Sequence, residues 1–74
     1  IAREELRRLQ AALDRLPPRT REAIVLRKIA NLPIQEIAQR MGVNVKTVEW
    51  HLTKGVRTLT ESLYGTAANV RGGS

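Results

Sequence analysis

Cysteine is absent from the 74 residues, which excludes a disulfide framework and a thiolate metal site and fits a reducing cytosolic compartment. Histidine occurs once, at His51, and a lone imidazole does not build a metal site. No second His or Cys, and no Ser arrangement, offers an acid–base or nucleophilic partnership, so the residues give no enzyme reading and require no cofactor. No apolar run approaches the ~18 residues of a membrane span, and the N-terminus lacks the charged-then-apolar pattern of a signal peptide. The expectation is a soluble, cytoplasmic protein without membrane insertion. Strand signals, internal repeats and a second domain are also missing. The chain starts at Ile1 rather than Met, which reads as a piece of a longer chain.

Acidic residues are in short supply: seven Asp and Glu face thirteen Lys and Arg, a formal net charge of +6. Polyanions are the first partners to consider. A solubilising charge excess is the plain alternative, and the placement of the charges decides between them. A chain this short buries only about 60% of the surface its unfolded form exposes, so the core is modest. Without disulfides or a metal, stability of a few kcal/mol is expected.

What is present is helical. "IAREELRRLQAALDRL" carries Ala2, Leu6, Leu9, Leu13 and Leu16 at alternating spacings of four and three, one stripe of an amphipathic helix over about 2–16. Pro17 stops it, and Pro18 suits the first position of a second helix over about 18–30, where an N–H is unpaired in any case. Val25, Leu26 and Ile29 share its broad apolar face; Ile24 points nearly the opposite way, toward a second neighbour or a partner. "IQEIAQRM" restores the pattern over 34–41, and Gly42 comes next, where a left-handed residue closes a helix. Asn44 is a strong N-cap for a helix over 45–64 with a stripe of Val45, Val48, Leu52, Val56, Leu59 and Leu63. The stretch 65–74, "GTAANVRGGS", has no periodicity and reads as a flexible tail.

A two-turn helix, a glycine-containing turn and a longer capped helix make a helix-turn-helix. The fold class is therefore all-α: a four-helix domain over 1–64 whose three-helical core is winged-helix-like without a wing. Ala38 allows close approach, Val48 and Leu52 seat the last helix on the one before it, and its opposite face is left for a DNA major groove. With Val45, Val48, Leu52 and Leu59 turned inward, Lys46, Thr47, Trp50, Thr53, Lys54 and Arg57 point outward. The cations suit phosphates or guanine edges; the threonines suit phosphates, bases or a thymine methyl. An ordinary solvated face is the alternative, and the exposed Trp50 is the residue it explains worst. Glu49 and His51 flank the strip. His51 either bonds a phosphate or caps a crevice beside the preceding helix.

The run "LPPRTREA", followed by "IQEIAQRMGV" and "TVEWHL", resembles region 4, the C-terminal promoter-binding region of sigma-70 family initiation factors. More narrowly it is similar to the extracytoplasmic-function (ECF) type, including its iron-uptake subgroup. The resemblance covers about Leu9 to Leu63. It implies recognition of the promoter −35 element through the major groove and docking on the flap of the RNA polymerase β subunit. Carried over, the base readers are Lys46, Thr47, Trp50 and Lys54, with Gln35 and the helix start at Ile34 against the DNA backbone. The flap contact would fall on Leu13, Leu16, Ile24 and Arg27. An anti-sigma factor covering the same surfaces is implied as a further partner.

Departures from the family pattern are specific. Pro33 replaces a capping Ser or Thr, Glu49 stands where a basic residue is frequent, and Gly55 stands where Ala is common. Gly55 either costs about 1 kcal/mol of helix propensity or permits close packing. Two other readings remain open to the residues alone. One is the DNA-binding domain of LuxR-type response regulators, which shares a Thr-Val-x-x-His arrangement; the other is a protein-interaction module docking through the first two helices.

Overall fold

Proline and glycine punctuate the chain where the sequence places them. The computed structural model describes residues 2–65 and, among these, four helices and no strand. They are α1 (Arg3–Asp14), α2 (Pro18–Ile24) running on into a π-helical turn (Val25–Ile29), α3 (Ile34–Met41) and α4 (Val45–Tyr64). Of the tail expected over 65–74, residues 66–74 lie outside the described residues.

Each boundary has a local cause. α1 has Glu4 and Glu5 in its first turn, where negative charge favours the helix N-terminus, and it tightens at its end as Arg15 N–H donates to the Ala12 carbonyl at 3.1 Å. Pro17 is extended, and its carbonyl accepts from Arg21 N–H at 2.9 Å to start α2. α3 closes in a Schellman arrangement. Gly42 sits at φ 71°, Val43 N–H donates to the Ala38 carbonyl at 3.0 Å, and Val43 packs on the core. The Asn44 side-chain oxygen accepts from Thr47 N–H at 2.8 Å, capping α4.

The core is Ala23, Ile37, Ala38, Met41 and Val48, with Leu26, Leu32, Ile34, Val43, Val45 and Leu52 packed around it. α4 is the spine: α1, α2 and α3 all pack on it. α2 and α4 approach unusually closely at Gly55, which is buried. A Cβ there would lie 2.7 Å from Ile24 Cγ1 and 2.9 Å from Thr20 Cγ2, so close packing, rather than a tolerated propensity cost, accounts for the glycine.

Several expected faces are corrected. Leu6 is 49% exposed and Ala12, outside the expected stripe, is buried: α1 turns Ala12 toward Ser62 and Leu63 of α4, and Arg8 anchors it there by donating to the Leu63 carbonyl at 2.8 Å. Ile29, expected on the apolar face of the second helix, is 66% exposed. The π turn explains it: Ala30 N–H reaches back five residues to the Val25 carbonyl at 3.0 Å, and the extra residue rotates the end of the helix off the apolar face. Asn31 then turns the chain at φ 60°. Val56 is 43% exposed, lining a groove with Arg27, Lys28, Leu52 and Thr53 instead of entering the core.

Leu16 and Ile24 are expected from the resemblance to be partner contacts. Each is 3% exposed, so neither is available to a partner. Ile24 does point away from the Val25–Leu26 face, and the neighbour it meets is α4 at Gly55.

Candidate nucleic-acid interface

With Val48 fully buried and Val45 and Leu52 packed on the core, the opposite face of α4 is directed into solvent. Lys46, Trp50, Thr53, Lys54 and Arg57 are all exposed there, and the last four line one shallow concavity. Trp50 is 56% exposed, a large aromatic surface that a solvated helix face does not require. The Lys54 ammonium lies over its indole at 5.4 Å from the ring centroid, a cation–π distance.

The cations of this face are electrostatically available. The ion pairs among the described residues join Arg7 to Glu4, Arg21 to Asp14 and Arg40 to Glu36, and none involves Lys46, Lys54 or Arg57. Three uncompensated charges on one side of a helix attract a polyanion, and the hydroxyl and indole between them can meet bases. Glu49, exposed beside the strip, opposes that attraction.

The other expected residues fall at different depths. Thr47 is half-buried, with its N–H given to the Asn44 cap. Gln35 is exposed in the first turn of α3. The Pro33 carbonyl takes the Glu36 and Ile37 amides at 3.0 and 3.1 Å, so the amides of Ile34 and Gln35 are those left pointing out of the helix end. Pro33 supplies no side-chain cap. His51 is half-buried, and its Nδ1 is hydrogen-bonded to Thr20 Oγ1 at 2.8 Å. The crevice it fills is formed with α2, not with α3, and only the remainder of the ring is left for an outside group. Leu13 and Arg27, the other candidates for a partner surface, are half-buried; an Arg27 guanidinium N–H donates to the Leu32 carbonyl at 2.9 Å.

Three residues with structural roles near this face carry no pattern signal. Arg19 donates from its guanidinium to the Met41 carbonyl at 2.6 Å, tying α2 to the end of α3 where the turn into α4 begins. Thr20 anchors His51. Lys28 joins Arg27 in the groove beside Thr53 and Val56, adding positive charge next to the strip. Sequence periodicity marks faces of one helix, and each of these residues acts across two.

The sequence model of the family described as Sigma-70, region 4 matches residues 6–59. The ECF RNA polymerase sigma factor SigE of Mycolicibacterium smegmatis is 44% identical over 55 residues, 74% of this chain and 21% of that protein. The ferric citrate uptake sigma factor FecI of Escherichia coli K12 is 38% identical over 53 residues, 72% of this chain and 31% of that protein. The matched stretches are thus about a fifth and under a third of the lengths of these relatives. No solved structure matches the chain.

Proposed function

The chain belongs to the sigma-70 region 4 family, of the ECF type, and from that premise we propose that it recognises the −35 element of a promoter with α4 and helps direct RNA polymerase to it. The observation that carries the proposal is the exposed, unpaired basic strip of α4 around Trp50, braced from behind by α3. In this reading α4 lies in the major groove. Lys46, Thr47 and Trp50, in its first half, meet base edges, while Lys54 and Arg57 hold the flanking phosphates. Gln35 and the amide end of α3 meet the backbone across the groove. The role is one of binding and positioning rather than bond making.

The polymerase contact would be made by the β flap, and Leu13 and Arg27 are its surviving candidates; Arg27 borders the strip through the groove it shares with Thr53. An anti-sigma factor would inactivate the protein by covering the same faces. Membership of the region 4 family weighs against the LuxR-type alternative, and the experiment separates the two. The chain is used to select duplexes from a pool with randomised central base pairs, and the selected sites are footprinted. The expected product is one asymmetric hexamer bound by a monomer. Enrichment of a two-fold site with half-sites about one helical turn apart would overturn the reading.

A further inference from the structure

We propose that Thr20 and His51 are positioning residues for Trp50, fixing from inside the fold the pose of the indole offered to DNA; the proposal rests on the DNA-reading role of α4. Thr20 is 2% exposed and is the buried polar residue among those described. A buried hydroxyl is costly unless bonded, and a valine would fill the same space without that cost. The bond this hydroxyl makes is to His51 Nδ1, at 2.8 Å across the α2–α4 contact. With the ring proton on Nε2 the hydroxyl donates to Nδ1; with it on Nδ1 the ring donates to the hydroxyl oxygen. Either tautomer leaves the imidazole anchored.

The anchored ring then bears on Trp50. The centroids of the two rings are 5.1 Å apart and their planes cross at 73°, an edge-on contact between neighbours that successive helix positions would otherwise send apart. Lys54 adds its ammonium at 5.4 Å from the indole centroid. A largely exposed tryptophan is therefore held by a chain of contacts that begins at a buried residue of α2. Its pose is set before DNA arrives, so the ordering cost of a free side chain does not fall on binding. Gly55 serves the same end, since it lets α2 come close enough for the hydroxyl to reach His51: Thr20 Cγ2 would lie 2.9 Å from a Cβ at that position.

Trp50 is the only tryptophan, so its fluorescence reports on itself. Time-resolved anisotropy and near-ultraviolet circular dichroism are measured on the free chain for Thr20→Val, Thr20→Ser and His51→Ala, under conditions where far-ultraviolet circular dichroism shows each folded. Thr20→Val and His51→Ala are expected to add fast side-chain depolarisation on the picosecond-to-nanosecond scale and to weaken the near-ultraviolet band. Thr20→Ser, which keeps the hydroxyl, is expected to retain the wild-type signal. Wild-type anisotropy in both His51→Ala and Thr20→Val would overturn the proposal. Should Thr20→Val fail to fold, His51→Ala decides alone, because His51 is half-exposed.

Binding to the duplex pool adds a second arm. Thr20→Val is expected to weaken it roughly two- to tenfold in the wild-type background and to have no further effect in a Trp50→Ala background. An equal loss in both backgrounds would mean that Thr20 acts by another route, and the proposal falls. If the wild-type chain binds no duplex, the DNA-reading role fails, and the anisotropy arm, run without DNA, still decides whether Thr20 and His51 hold Trp50.

Discussion

Gly55 on α4 and Ile24 on α2 are packed so closely that a β-carbon at the glycine would stand 2.7 Å from Ile24 Cγ1 and 2.9 Å from its Cδ1. Ile24 is buried, so it has little room to yield. Helix propensity alone makes Gly55→Ala stabilising by about 1 kcal/mol, and overpacking opposes it with about 1–3 kcal/mol. Overpacking is expected to win, because two buried side chains must both move. Urea denaturation should show a net loss of about 1 kcal/mol. Ile24→Val, which removes Cδ1, should make the alanine less damaging in the double variant than in the wild-type background.

Asn44 closes the end of α4 that carries Lys46 and Thr47, accepting from Thr47 N–H at 2.8 Å. Asn44→Ala should cost about 1 kcal/mol in the same unfolding experiment, while Asn44→Asp or Asn44→Ser should cost little. Equal losses for all three would show that the side-chain oxygen is not the source of the stabilisation.

Core truncation should grade with burial. Ile37, fully buried under the helix-turn-helix, should lose about 2–5 kcal/mol on substitution by Ala, enough to unfold much of a domain this small. Leu52 is only half-buried, so Leu52→Ala belongs at or below the lower end of that range. Thermal melts monitored by circular dichroism rank the two variants.

Charge on the exposed strip should appear in the salt dependence of DNA binding. If Lys54 and Arg57 neutralise phosphates, each alanine variant weakens binding across all sequences and lowers the slope of log affinity against log salt by about one. Glu49→Gln should act in the opposite sense and tighten binding. Unchanged affinity for Lys54→Ala in a salt titration would remove that residue from the interface.

Trp50 offers a broad apolar plate, and the apolar feature of the major groove is the thymine methyl. In the selected hexamer, replacing thymine by uracil one position at a time should identify a contacted methyl by a loss of about 0.8 kcal/mol, the value of one buried methyl-sized group. The same replacement should make no difference to Trp50→Ala. A methyl effect that survives in Trp50→Ala would assign that contact to Thr47 or Thr53.

Much of this architecture was legible in the sequence because it is set by near neighbours on the chain. Pro18 opening α2, Gly42 in a left-handed turn and Asn44 capping α4 are decided by the conformations and hydrogen bonds of a few consecutive residues. The outward direction of Trp50 comes from helix phase alone once Val48 is placed inward. The resemblance carried by "LPPRTREA" and "IQEIAQRMGV" identified the family for the same reason, since it is local pattern. Phase failed at Ile29, where the π turn inserts a residue that an ideal helix does not have, and at Val56, which stays 43% exposed at the edge of a groove with Arg27 and Lys28.

The sequence by itself determined four helices, their stops and caps, the basic face of α4 and the kinship with region 4, because each depends on chain-local geometry or on residue identity. Tertiary structure alone decided which side chains meet. Whether Ile24 served a partner or the core, whether Gly55 was a weakness or a contact, and whether His51 was tied to a second helix all depended on how closely α2 approaches α4. That distance arises from packing between residues some thirty positions apart, which no helical period encodes.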